Sequence, residues 1–182
     1  MGRSPVSCVL LIVLGFSFVA DAQQSVKPLA MTEDGVGAIT KTTKGELRAV
    51  AKLFPQFNVV PGVVYSEGDA NPTIRVMNGT IEVLYVVPSH DGTIYSVVVK
   101  SSLVLYGAKV KVGSLFADVF GGMLPSDCGM GHEELFEQVV CPAISDGHVR
   151  FVFTGKNDNR DERMPSLSSL LKWKVTMMWW NP

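Results

Sequence analysis

Few residues in this 182-residue chain could do chemistry, and their spacing narrows the options. Cys128 and Cys141 bracket the segment CGMGHEELFEQVVC. In an exported protein such a pair reads as a disulfide, and closing so short a loop contributes ~3 kcal/mol. His132 lies inside the loop and His148 just beyond it. The resulting Cys-x3-His-x8-Cys-x6-His spacing matches no zinc pattern with a mechanical rationale, so no metal ligands are assigned.

Catalytic signatures are missing as well. There is no G-x-S-x-G elbow for a hydrolytic triad. His132-Glu133-Glu134-Leu135-Phe136 lacks the second histidine of a zinc protease. Gly35-Val36-Gly37 and Gly121-Gly122 lack the lysine and the βαβ setting of a phosphate loop. Adjacent carboxylates occur at Glu133 and Glu134 and at Asp158, Asp161 and Glu162; a glycosidase needs two carboxyls facing across a cleft, whereas acids on a loop are usually solvated. Asn78-Gly79-Thr80 is formally a glycosylation sequon but reads first as a hairpin turn. No catalytic, cofactor or metal residue is therefore expected. A site assembled from distant residues would draw on His132, Glu133, His148 and Asp161.

The aromatic C-terminus, WKVTMMWW, is the other candidate. Strict strand alternation puts Trp173, Val175, Met177 and Trp179 on one face and Lys174, Thr176, Met178 and Trp180 on the other. The first face is wholly apolar and belongs to the core. Met178 and Trp180 are then either covered by a helix or exposed as a binding face.

The elements that must position these residues begin with a leader. Arg3, the apolar run Val9 to Val19 and Ala20-Asp21-Ala22 form a secretory signal peptide over residues 1–22, cleaved between Ala22 and Gln23. The run is shorter than the ~20 residues of a membrane span, and Cys8 sits too early for lipidation. A flexible leader follows over 23–33, then one domain over 34–182. With 16 Lys and Arg against 17 Asp and Glu the net charge is −1. The cations are scattered, so neither nucleic acid nor an anionic membrane is an expected partner.

Within the domain, Thr43 and Glu46 spell a capping box ahead of Leu47, Val50, Ala51 and Phe54 at helical spacing. Thr73 to Met77, the Asn78-Gly79 turn, Thr80 to Val87 and Thr93 to Lys100 form an antiparallel meander. Lys109 to Gly113 reads as a strand, Leu115 to Phe120 as a helix with Ser114 as its cap, and Phe136 to Cys141, His148 to Phe153 and Trp173 to Trp180 as strands. The expected class is α+β: an antiparallel sheet with two short helices packed on one face, built as two duplicated helix-plus-strands units.

The segments GVGAIT, KVKVGSLFADVF, HVRFVFTG, MPS and LKWKVTMMWW, with Cys128 and Cys141-Pro142-Ala143, resemble the RpoE-regulated lipoprotein family. That is a bacterial envelope family of unknown function, and the resemblance covers residues 34 to 181. It implies an α+β domain in the Gram-negative envelope, linked to envelope stress, and supplies no catalytic residues. This chain lacks the lipidated cysteine of the namesake, which leaves the periplasm or the exterior. The expected role is non-enzymatic binding of an envelope protein or another envelope component. The alternatives are the assembled hydrolase site and a small-ligand carrier lined by Trp173, Trp179 or Trp180. Oligomeric state is not readable from the sequence.

Overall fold

The fold is that of a computed structural model describing residues 27–144, 147–159 and 163–182. The signal segment, its Ala22–Gln23 boundary and Asp161 lie outside the described residues. In chain order the elements are β1 (Leu29–Thr32), β2 (Gly35–Val36), β3 (Ile39–Thr40), α1 (Leu47–Leu53), β4 (Asn58–Ser66), β5 (Asp69–Asn78), β6 (Ile81–Pro88), β7 (Ile94–Val99) and β8 (Val104–Tyr106). They continue with α2 (Phe116–Phe120), β9 (Gly129–Met130), a 3-10 turn at Glu133–Leu135, β10 (Val139–Pro142), β11 (Val149–Thr154), α3 (Leu167–Leu170) and β12 (Lys174–Trp180).

The expected α+β class is overturned. The chain is 43% strand and 13% helix, in two sheets of four and eight strands. The large sheet runs β4-β5-β6-β7-β12-β11-β10-β9, two antiparallel meanders joined where β7 meets β12. The small sheet runs β3-β2-β1-β8. It takes much of the covering role assigned to the helices: Met31, Val36, Ile39 and Val104 share one core with Val50 and Phe54 around α1, Phe116 of α2, and the large sheet. The physical reason is pairing at long range. Leu29 to Met31 lie parallel to Val104 to Tyr106, and segments so short carry no readable alternation. The leader assigned to 23–33 is corrected by the same finding, since Leu29–Thr32 is a strand and Met31 is fully buried.

Local signals fare better. Gly79 turns the β5–β6 hairpin at φ 60°, and Gly121 ends α2 in the left-handed conformation, both favoured by a residue without Cβ. Two caps are not formed. Glu46, not Thr43, stands at the N-cap of α1 and makes no capping bond, while the Thr43 hydroxyl accepts from the Thr40 amide at 2.9 Å. Leu115 stands where Ser114 was expected, and the Ser114 hydroxyl accepts from the Lys111 amide at 3.1 Å.

The face assignment of the last strand is also corrected. Val152 pairs with Met177 but Phe153 pairs with Val175, leaving Thr176 as an extra residue in β12. A bulge shifts the alternation by one position. Met178 and Trp180, read as either covered or exposed as a binding face, are 0% and 1% exposed and join Trp173 and Val175 in the core, so the binding-face alternative falls. Met177 and Trp179 turn to the opposite face. A second bulge, with Val87 opposite Ser96 and Pro88 opposite Ile94, makes Tyr95 the extra residue of β7.

Candidate functional site

The face of the large sheet turned away from the core carries a continuous row in register. Val60 of β4 is followed by Arg75, Tyr85, Val98, Trp179 and Arg150 on successive strands. Below it lie Val140, Val152 and Met177. Val98 and Val152 are buried, yet neither belongs to the main core. Their large neighbours on this outer face, Tyr85, Trp179 and Met177, make a second apolar surface. The Trp179 indole N–H is enclosed and has no hydrogen-bond partner among the described residues, a group whose satisfaction is worth about 1 to 3 kcal/mol.

Charge around this stripe is mostly positive. Glu82 is shared by Arg75 at 3.0 Å and Lys100 at 3.7 Å, and the Lys100 ammonium sits 5.2 Å from the centre of the Tyr85 ring. Burial, reinforced by Glu82 and opposed by Arg75, raises the Tyr85 phenol above its ordinary value. Arg150, opposite Trp179, and Lys174, opposite Thr154, are exposed.

The β4–β5 hairpin arches over this face. Because the strands alternate in direction, Ser66 at the end of β4 and the loop between β9 and β10 occupy diagonally opposite corners of the sheet. They nevertheless meet: the Glu67 amide donates to Glu134 Oε1 at 3.0 Å. A strongly twisted sheet brings one pair of opposite corners together on one side, and the other side is filled by the small sheet and helices. Glu67 across this contact is the main cause of a raised Glu133 carboxyl. The Glu134 carboxyl is lowered by its own amide, by that of Glu67 and by the Ser66 hydroxyl.

A third cluster centres on Glu33. Its carboxylate accepts from the Tyr106 hydroxyl at 2.8 Å and from the amides of His148 and Val149 at 2.5 and 3.1 Å. Its carbonyl accepts from the Trp180 indole at 2.9 Å, so one residue ties the small sheet to β11 and β12. Burial, then the bond to Glu33 and its charge, push the Tyr106 phenol up to about 12. Lys41, Thr42 and Pro182 complete a cavity of about 250 Å³ here.

The residues suspected of forming an assembled site are kept apart. His132 and Glu133 sit at one end of the β10–β11 pair. His148 lies just before β11 at the other end, where its Nδ1 bonds the Asn181 carbonyl at 2.7 Å; strand length alone separates the ends by about 17 Å. Cys128 and Cys141 are joined as a disulfide. Trp173 and Trp180 are core residues, and Trp173 donates to the Lys156 carbonyl at 3.3 Å. Glu33, Arg75, Tyr85 and Arg150 belong to no motif in the sequence. Only the alternation around Arg75 and Tyr85 carried a signal for them, since outward positions in a meander are readable while the curl above them is not.

The family described as "Protein of unknown function (DUF1131)" matches residues 16–182. The chain is 27% identical over 152 residues to the "Uncharacterized protein YfeY" of Escherichia coli (strain K12), covering 83% of this chain and 78% of that protein. The crystal structure of the uncharacterized protein yfeY from Escherichia coli superposes with a TM-score of 0.71 at 25% identity. It covers 84% of this chain and 99% of the other.

Proposed function

The chain belongs to the DUF1131 family, and from that premise we propose that it is a non-enzymatic, exported binding protein of the Gram-negative envelope. Its contact surface is the outer face of the eight-stranded sheet, and its partner is a protein presenting acidic side chains around an apolar contact. The observation that carries this reading is the pairing of Trp179 with Arg150 beside buried Val98 and Val152. Tryptophan and arginine anchors at a partly desolvated centre are what protein interfaces use. Charge chooses the partner's sign: Glu82 is already shared by two cations, while Arg150 and Lys174 remain exposed beside the stripe. Export and the envelope-stress link rest on the signal-like N-terminus and on the resemblance to RpoE-regulated lipoproteins.

The test is capture from a Gram-negative envelope extract with the mature chain, its Trp179→Ala and Arg150→Glu variants, and Lys52→Glu on α1 as control. One acidic protein captured stoichiometrically by the parent and the control, and reduced about tenfold or more by either sheet variant, supports the reading. Equal capture by all four, or none by the parent, overturns it. Thermal melting establishes that each variant is folded.

A further inference from the structure

We propose that the cavity between the loop after β11 and the segment joining α3 to β12 binds a phosphorylated sugar or similar polyol phosphate. Lys156 and Lys172 hold the phosphate, and serine oxygens of α3 take the hydroxyl groups. The cavity has a volume of about 450 Å³ and is lined by Gly155, Lys156, Ser168, Ser169, Lys172 and Trp173, together with Asp158. None of these residues belongs to the outer face of the large sheet, so the site stands apart from the binding role above. Its walls are fixed by the fold itself. Trp173 is 2% exposed. Its indole N–H and the Ser169 hydroxyl both donate to the Lys156 carbonyl, at 3.3 and 2.8 Å. Gly155 lies directly on the indole: a Cβ there would stand 2.2 Å from Trp173 Cδ1. The side-chain amides of Asn157 and Asn159 donate to the carbonyls of Arg163 and Met164 at 3.1 and 2.6 Å. Lys156 therefore rises from backbone that is already ordered, which lowers the cost of binding.

Charge sets the sign of the ligand. Neither the Lys156 nor the Lys172 ammonium has a carboxylate partner among the described residues. Asp158 lines the same cavity, but both its oxygens are taken, one by the Ser166 amide at 3.0 Å and the other by the Ser166 hydroxyl. Those bonds hold its carboxyl below the ordinary aspartate value. Two cations against one committed anion leave the cavity positive, and a concave surface with an excess of one sign focuses its field on counter-ions. A phosphate monoester, with a charge of about −1.5 to −2 at neutral pH, matches two ammoniums where a carboxylate matches one.

The hydroxyl groups decide what else the ligand carries. Ser166 spends its proton on Asp158, so in the 3.0 Å bond between the Ser166 and Ser168 hydroxyls it is Ser168 that donates. The Ser169 proton goes to the Lys156 carbonyl. Both serine oxygens lining the cavity thus keep lone pairs and have no proton to spare. They accept from O–H groups, which a sugar or polyol supplies beside its phosphate.

The test is a titration of the mature chain followed through the amide chemical shifts of Gly155, Lys156, Ser168 and Ser169. Glucose-6-phosphate should shift them saturably, whereas glucose, or sodium chloride at the same ionic strength, should not. Lys156→Gln and Lys172→Gln should each weaken binding about tenfold, and Lys52→Gln on α1 should leave it unchanged. Affinity should fall as pH is lowered through about 6, where the phosphate takes up its second proton. Phosphatidylcholine vesicles with and without phosphatidylinositol-4-phosphate separate the sources of the phosphate. A response to the soluble sugar phosphate assigns a free ligand, and a response to the phosphorylated vesicles alone assigns a lipid headgroup. A response to neither, one that survives both lysine variants, or one that glucose or chloride reproduces overturns the site.

Discussion

At the scale of single residues, Glu33 is the group on which most depends. Three donors from two other parts of the chain converge on its carboxylate, and its carbonyl takes a fourth from Trp180. Hydrogen bonds to a charged group contribute about 1.5 to 3 kcal/mol each, and removing the acceptor strands the donors. Glu33→Ala should therefore lower unfolding stability by about 3 kcal/mol in a denaturant titration, allowing for partial exposure. A direct reporter is Tyr106. Its folded pKa of about 12 lies above the ordinary 10.0. The stability it contributes is complete below the ordinary value and lost as pH climbs from there through the folded one. Phenolate absorbance should show one late-titrating tyrosine, and Glu33→Ala should move it toward the ordinary value. An unmoved titration would mean that burial alone holds the phenol.

At the scale of elements, the edge strand β4 shows how an exposed uncharged segment is kept from pairing with other chains. Counting back in twos from the Glu67-Gly68 turn puts the missing N–H of Pro61 and the carbonyl of Val63 on the free side of the strand. Pro61 removes one donor. Arg75 crosses Gly62 and caps the Val63 carbonyl at 2.8 Å. Gly62 clears the way, since a Cβ there would stand 2.3 Å from Arg75 Nε. Valine has the higher strand propensity, yet Gly62→Val should displace Arg75, free the edge and raise light scattering at high concentration. A variant as monodisperse as the parent would show that Pro61 guards the edge unaided.

At the scale of the whole molecule, the small sheet makes the N-terminal segment part of the core. Met31 is fully buried between sheets. Met31→Ala should cost about 2 to 5 kcal/mol, read as a lowered denaturant midpoint with unchanged slope. A loss near zero would place residues 29–32 outside the cooperative unit. Two meanders joined at β7 and β12, one curled so that its hairpin reaches the far corner of the other, leave a single broad face uncovered by the small sheet and helices. That face is the contact surface of the proposed binding role.

What the sequence determined by itself was local. The hairpin turned at Gly79, the helix ended by Gly121, the strands that follow them and the pairing of Cys128 with Cys141 are set by turn geometry, periodicity and short separation, all encoded within a few residues. The turn itself falls on Gly79-Thr80, one residue later than Asn78-Gly79. The tertiary structure alone decided the rest. The parallel pairing of Leu29–Met31 with Val104–Tyr106 joins segments too short to announce themselves. The Thr176 bulge depends on the register with β11, and it exchanged Met178 and Trp180 for Met177 and Trp179 on the outer face. Glu33 and Tyr106, like Glu67 and Glu134, meet only because sheets twist and stack, bringing together residues about 70 positions apart. Such meetings are properties of the packed whole, and no window of sequence contains them.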